Sequence, residues 1–179
     1  MSEKENTGTA NSSGVVLTDP AHRPDPRAKI LWAVAAALLW LPVAVAVIVW
    51  AVVLAVNVES PSWTPVVAAA VAVVVLAAAH VTIAPQWRYR VHRWELSDTA
   101  VHTRTGWVTQ ERRIAPLSRV QTVDTERGPL DRALGLATVT VTTASSAGAL
   151  EIAGLDLATA DRTVAAITAA AARSRGDAT

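Results

Sequence analysis

Two long runs of apolar residues stand in the first half of the chain, at residues 30–56 and 66–83, and neither contains Asp, Glu, Lys or Arg. A helix needs about 20 apolar residues to cross a hydrocarbon core of about 30 Å. The first run exceeds this length and the second just reaches it. Because a helix satisfies its own backbone hydrogen bonds in lipid, the pattern predicts two transmembrane helices that form a hairpin over residues 29–86.

Aromatic residues and prolines mark the ends of these runs. Trp and Tyr rings favour the interface between membrane and water. Pro85 is expected to end the second helix, because proline interrupts the helical hydrogen-bond pattern. His80 lies near the end of the second run, and we expect a neutral imidazole that reaches the interface. The predicted membrane-interface anchors are Trp32, Trp50, Trp63, Trp87 and Tyr89.

Basic residues flank the open ends of the predicted hairpin and are absent from the connecting loop at residues 57–65, which contains one Glu. Loops rich in Lys and Arg stay in the cytoplasm. The distribution predicts a cell-membrane protein with two spans and both termini in the cytoplasm. The basic residues are Arg23, Arg27 and Lys29 before the hairpin and Arg88, Arg90 and Arg93 after it.

The polar residues before and after the hairpin differ in their pattern. Residues 1–28 show no periodicity and are predicted to form a disordered cytoplasmic tail. From Trp87 onwards, apolar and polar residues alternate with a period of two, which is typical of β-strands. The first strand is therefore expected to begin at Trp87. Two further extended segments follow, joined by a turn at Thr105 and Gly106.

The last part of the chain changes from a period of two to a helical period. Segments 137–143 and 149–153 alternate as strands, with four residues pointing inward: Val139, Val141, Leu150 and Ile152. Asp156 is a plausible N-cap for a helix that ends near Ala172, and residues 174–179 form a solvated tail. The apolar face of this helix comprises Leu157, Ala160, Val164, Ile167 and Ala171.

The stretch "WELSDTAVHTRTGWVTQERRIAPLSRVQTVDTERGPLDRALGLATVTVTT" resembles the bacterial membrane-flanked, pleckstrin-homology-like (PH-like) family. Its most specific parts are residues 119–121 and 128–135. The resemblance implies a membrane α-helical hairpin followed, at residues 87–173, by an α+β or all-β PH-like domain. In that domain six or seven antiparallel strands form a partly open barrel with one C-terminal amphipathic helix. The family also implies a non-enzymatic module that binds a protein or lipid partner or assembles with itself.

The charged and catalytic residue types exclude several functions. The formal net charge is +1, and residues 87–179 contain 12 Arg against 10 acidic residues, so a nucleic-acid partner is not expected. The chain has no Cys. His92 and His102 lack a third metal ligand, and no catalytic motif is present. We therefore predict no catalytic residues, no metal site and no cofactor.

Five arginines form the predicted face for a protein partner or for anionic lipid: Arg112, Arg113, Arg119, Arg127 and Arg132. The alternative is a solvated surface on which these arginines pair with neighbouring acidic residues. Eukaryotic relatives of the PH-like family hold phosphoinositides with Lys and Arg in the loop after the first strand. In this chain that loop carries only the negative charge of Asp98, so the resemblance does not imply phosphoinositide binding.

The sequence thus favours a membrane-anchored cytoplasmic binding or assembly module without enzymatic activity. Its expected partners are the lipid bilayer and a membrane or cytoplasmic protein, and the chain could also form a homo-oligomer. The alternative function is that of an accessory subunit of a membrane complex, held mainly through its transmembrane helices.

Overall fold

The computed structural model describes residues 19–106, 109–144 and 148–176. Two long helices come first, and strands with two further helices follow. The helices are α1 (Ala28–Asn57), α2 (Thr64–Val91), α3 (Pro129–Leu134) and α4 (Leu157–Gly176). The strands are β1 (Arg93–Leu96), β2 (Ala100–Gly106), β3 (Gln110–Pro116), β4 (Val120–Glu126), β5 (Leu136–Thr143) and β6 (Leu150–Asp156), with a 3₁₀ turn at Leu117–Arg119.

Helices α1 and α2 pack against each other as the predicted hairpin. Their 30 and 28 residues correspond to lengths of about 45 and 42 Å, well beyond a hydrocarbon core of about 30 Å. In the most apolar segment of α1 none of the residues is buried within the protein, and in that of α2 the buried share is 6%. Because these apolar surfaces are exposed rather than part of a core, they require lipid around them.

The end of α2 corrects the predicted boundary between hairpin and domain. Pro85 lies inside α2, and Trp87 and Tyr89 are helical rather than part of the first strand. Arg88 and Arg90 in the last turn favour this extension, because cations stabilise the negative end of the helix dipole. His92 then caps the helix with an extended backbone, and β1 begins at Arg93.

The described strands form two antiparallel sheets, in the orders β1-β2-β3 and β4-β5-β6. Together they make the open barrel that the sequence predicted. The four residues predicted to point inward from the last two strands are each 0–3% exposed. The predicted turn at Thr105 and Gly106 is misplaced, because β2 continues through Gly106 and pairs it with Gln110.

Helix α4 covers the core of the barrel. As predicted, Asp156 accepts a hydrogen bond from the backbone N–H of Thr159 at 3.0 Å, and the hydrogen bonds from Thr159 lower the pKa of Asp156. The helix continues to Gly176, beyond the predicted end. Leu157 is 39% exposed, contrary to prediction. The buried stripe also includes Thr163 and Ala170, so its centre lies about 80° away from Leu157.

Residues 19–27 form an ordered strap across the domain, which corrects the predicted disordered tail over this part. The strap pairs Asp19 with β2 and β3. His22 and Trp94 exchange two backbone hydrogen bonds of 3.0 and 2.9 Å, and Asp25 donates its N–H to the carbonyl of Gly154 at 2.7 Å. Residues 1–18 of the predicted tail lie outside the described residues. The strap joins the sheet edge to the start of α1.

The strap leads into a second apolar cluster, which joins the hairpin to the domain. We call residues 28–36 and 85–92 the hairpin base. Ala28 and Trp32 of the base pack with Leu136 of β5 and are 0%, 7% and 0% exposed. At Gly154, whose φ is +72°, an added Cβ would lie only 2.7 Å from the Cβ of Ala28. The domain is therefore packed directly onto the hairpin.

Gly154→Ala should destabilise the protein more than the matched change Gly148→Ala. Both glycines have positive φ, +72° and +81°, so alanine at either position introduces strain of about 1–2 kcal/mol. Only Gly154→Ala adds a collision with Ala28, which we expect to cost about a further 1–3 kcal/mol. Chemical unfolding of the full chain in detergent measures both effects. Equal losses would contradict close packing of α1 on β6.

Candidate functional site

A groove runs beside β3, one of the two edge strands of the first sheet, and we call it the β3 groove. Its volume is about 520 Å³. Ile114 lies on this strand with 49% of its surface exposed. The groove is lined by residues 111–116 together with Arg119, Thr143, Gly148 and Leu150. Three of the five predicted arginines, Arg112, Arg113 and Arg119, therefore line one groove.

The arginines of the β3 groove differ in their partners. Arg112 donates to the carboxylate of Asp19 at 2.8 Å, and the hydrogen bond from Arg104 lowers the pKa of this carboxyl. Arg113 pairs with Glu111 at 2.6 Å and donates to the carbonyl of Ala149 at 2.8 Å. Arg119 has no ion pair among the residues that the structure describes. The groove thus keeps a positive rim at Arg119.

The other two predicted arginines do not line the β3 groove. Arg127 donates to the carbonyl of Leu136 at 3.1 Å, beside α3. Arg132 is exposed on α3 itself. The five arginines are consequently divided between two places on the domain, and they do not form one continuous lining.

A second and larger cleft, of about 650 Å³, lies between the hairpin and strands β2, β3 and β6. We call it the base cleft. Apolar residues of both helices line it, including Ala35, Leu39 and Ala84. Polar and charged residues of the hairpin and the domain line it as well: His80, Arg88, His92, Thr103, Thr105, Glu111, Arg113 and Glu151.

Three side chains of the hairpin base stack beside this cleft. The guanidinium of Arg88 lies 4.6 Å from the centre of the Trp32 ring, a cation–π contact. The His92 ring lies 5.0 Å from the same indole. His92 donates from Nδ1 to the Arg88 carbonyl at 2.9 Å. Burial, and next the positive charge of Arg88, lower the pKa of His92 from 6.5 to about 4.

Sequence reasoning did not identify the base cleft. The sequence identified Arg88 only as one of several basic residues that flank the hairpin, and it assigned no role to Glu151, which lies in the predicted strand segment 149–153. The two are 63 positions apart in the chain. The basic end of the second apolar run was the only signal, and it could not indicate which strand packs against it.

A family model described as "Bacterial PH domain" matches residues 27–171 of the chain. The chain belongs to the bacterial PH domain family. The match begins ahead of α1, so it includes the hairpin as well as the PH-like domain.

The chain is also similar to the UPF0699 transmembrane protein YdbS of Bacillus subtilis (strain 168). The two are 37% identical over 82 residues, which cover 46% of this chain and 50% of that protein. The chain thus spans about half the length of this relative. No solved structure matches the chain. Together with the two exposed apolar helices, these similarities identify a membrane protein with two transmembrane helices and a PH-like domain.

The predicted interface anchors lie in different surroundings. Trp50, Trp63 and Trp87 are 40%, 46% and 50% exposed, and their anchoring role remains a prediction. Trp32 was predicted to anchor the hairpin at the membrane interface. Its ring is instead buried between the hairpin and the PH-like domain. Tyr89 is half-buried beneath the Lys29 ammonium, 4.5 Å from the ring centre.

The sequence predicted that the His80 imidazole reaches the membrane interface. In the structure it forms a hydrogen bond within the hairpin instead. Its Nδ1 accepts a hydrogen bond from the Trp40 indole N–H at 3.0 Å. The bond joins α1 to α2 inside the apolar segment, where a polar pair favours helix association. Among the described residues there is no group of three or more His, Asp or Glu side chains that could hold a metal ion.

Lowering the pH from 7 to 5 should destabilise the PH-like protein through His92. Its pKa is about 4 in the folded chain and about 6.5 when unfolded, so the unfolded chain binds more protons between these values. Stability therefore falls as the pH falls through this window, by about 2 kcal/mol at pH 5.

The matched control is His92→Gln, which keeps a donor for the Arg88 carbonyl but cannot titrate. Thermal unfolding in detergent at several pH values compares the two proteins. The variant should lose less stability than the parent between pH 7 and pH 5. Identical pH dependence would contradict a buried neutral imidazole.

Proposed function

We propose that this protein is a membrane-anchored, cytoplasmic, non-enzymatic PH-like binding module, whose β3 groove takes an extended acidic segment of a protein partner. The observation that carries the proposal is the combination of an edge strand, an exposed apolar side chain and a positive rim in one groove. The partner and the side of the membrane are both part of the proposal.

The backbone of β3 supports binding of an extended segment. β3 pairs with β2 on one side and is the last strand of its sheet on the other. An edge strand offers unpaired N–H and C=O groups to which another strand can add. Ile114 beside it supplies exposed apolar surface for an alternate side chain of that segment.

The charges of the groove favour an acidic partner. Arg119 is exposed and unpaired within the described part of the chain, and Arg112 keeps 48% of its side chain exposed despite its pair with Asp19. Such charges at the rim of the groove raise the rate of association with an oppositely charged segment and disfavour binding of positively charged partners. An acidic segment could also compete with Asp19 for Arg112.

The hairpin gives the groove a fixed position at the membrane. Because the domain packs onto the hairpin base through Trp32 and Leu136, it does not hang on a flexible linker. A partner in the same membrane then meets the groove at high effective concentration, so a weak contact suffices. This geometry suits an assembly module better than a catalyst.

The cytoplasmic orientation is tested by single cysteines, which the Cys-free chain allows. Ser62→Cys lies in the exposed loop between the helices and Ser118→Cys is exposed in the domain. An impermeant thiol reagent on intact cells should label Ser62→Cys and leave Ser118→Cys unlabelled. Permeabilised cells should give labelling at both positions, as the control. The reverse pattern in intact cells would overturn the proposed topology.

The binding groove is tested by a photo-crosslinking residue placed at Ile114 in the full chain in its native membrane, with Leu130 on α3 as the matched exposed position. Ile114 should give a defined protein adduct, mapped to an acidic segment, and Leu130 should not. Arg119→Glu should weaken the adduct by about tenfold, whereas Arg132→Glu should leave it unchanged.

Three outcomes would contradict this function. An adduct formed equally at Leu130 would remove the groove from the proposal, and an adduct between two copies of this chain would indicate self-assembly instead. Crosslinks to another membrane protein from lipid-exposed Val49 of α1, with none from Ile114, would favour an accessory subunit held through its helices.

A further inference from the structure

We propose that the base cleft binds one zwitterionic aminophospholipid, with its phosphate on Arg88, its ammonium on Glu151 and its acyl chains along the hairpin. This inference goes beyond the proposed function. It rests on the two transmembrane helices and requires neither the protein partner nor a particular side of the membrane.

The depth of the lining residues matches the layers of a lipid monolayer. The apolar residues Ala35, Leu39 and Ala84 line the part of the cleft formed by the spanning segments. Arg88 lies one turn after Ala84, about 6 Å further along the helix. The interfacial region extends about 5–8 Å beyond each side of the hydrocarbon core, so Arg88 is placed at headgroup depth.

The position of the Arg88 guanidinium suits the binding of a phosphate. Its guanidinium is held over the Trp32 ring and makes no ion pair with any described residue. The guanidinium presents several N–H donors in a plane and binds phosphate oxygens in pairs. Stacking on an indole fixes this group while leaving its edge available for an anion.

Glu151 supplies the opposite charge on the same cleft. Its carboxylate attracts Arg88 electrostatically, yet the two form no ion pair. Glu151 is exposed at the surface of β6 and lines the cleft. A carboxylate that can accept hydrogen bonds from N–H groups favours an ammonium headgroup over a quaternary one, which has no N–H to donate.

The balance of charge decides between a zwitterionic and an anionic headgroup. Two lining arginines, Arg88 and Arg113, are matched by two lining glutamates, Glu111 and Glu151. Glu111 is already paired with Arg113 at 2.6 Å. His92 adds no charge at neutral pH, because burial lowers its pKa to about 4. His80, the other lining imidazole, accepts the Trp40 indole N–H on its Nδ1. Among the lining arginines and glutamates, one cation and one anion remain, which suits a ligand carrying both charges.

The volume of the base cleft is also suitable. At about 650 Å³ it lies within the range of about 300–1,000 Å³ that small-molecule sites occupy. The lining is apolar along Ala35, Leu39 and Ala84, apart from the His80 imidazole, and it is polar from Arg88 to the domain wall. Such a mixed lining suits a headgroup with its first acyl carbons. A water-soluble ligand would leave the apolar wall without a partner.

The test uses the full chain in detergent with native mass spectrometry, after exchange with phosphatidylethanolamine, phosphatidylcholine or phosphatidylglycerol of identical acyl chains. One phosphatidylethanolamine should be retained in preference to the other two. Glu151→Gln should reduce the preference for ethanolamine over choline by about tenfold, and Arg88→Gln should reduce retention of all three lipids.

Matched controls are Glu126→Gln and Arg132→Gln, two exposed charges outside the base cleft, which should leave retention unchanged. Circular dichroism confirms that each variant remains folded. Soluble glycerophosphoethanolamine at the same concentration should fail to displace the lipid. The inference is overturned by equal retention of ethanolamine and choline lipids, by preference for phosphatidylglycerol, by displacement with the soluble headgroup, or by a Glu151→Gln result equal to that of Glu126→Gln.

Discussion

The close approach of α1 to β6 at Gly154 is the contact on which the arrangement of the PH-like domain at the membrane depends. A side chain at residue 154 would collide with Ala28, so this position needs a glycine for its space as well as for its positive φ. The backbone carbonyl of the same residue, Gly154, accepts a hydrogen bond from the N–H of Asp25 in the strap. Where α1 begins is therefore fixed by the domain, although α1 itself is a membrane helix.

The consequence is that both clefts have defined positions relative to the bilayer. The continuation of α2 to Val91 places Arg88 beside the domain, and Trp32 closes the gap between the two. The base cleft follows from this docking, because the hairpin forms one of its walls and strands β2, β3 and β6 form the other. The β3 groove lies on the domain alone and depends on the docking only for its orientation.

The patterns of local sequence predicted much of this fold. The two apolar runs, the inward residues of β5 and β6 and the N-cap at Asp156 follow from hydrophobic period and capping chemistry. The end of α2 did not follow from them, because Trp87, Tyr89 and Val91 alternate as in a strand. In the fold all three belong to one continuous helix, in which Val91 is buried and Tyr89 packs against the cluster of the hairpin base. Likewise the arginines at 112, 113 and 119 could be named from sequence, but their separation from Arg127 depends on how the sheets fold. That Arg88 and Glu151 line the same cleft can be recognised only from the tertiary structure.

The most direct test of the docked arrangement is the distance between a spin label at Ser60, in the loop joining the helices, and one at Thr125 on β4, measured by double electron–electron resonance in lipid nanodiscs. Both positions are exposed. A domain packed on the hairpin base predicts a single narrow distance distribution. A broad distribution, as from a domain tethered by a flexible linker, would contradict the account.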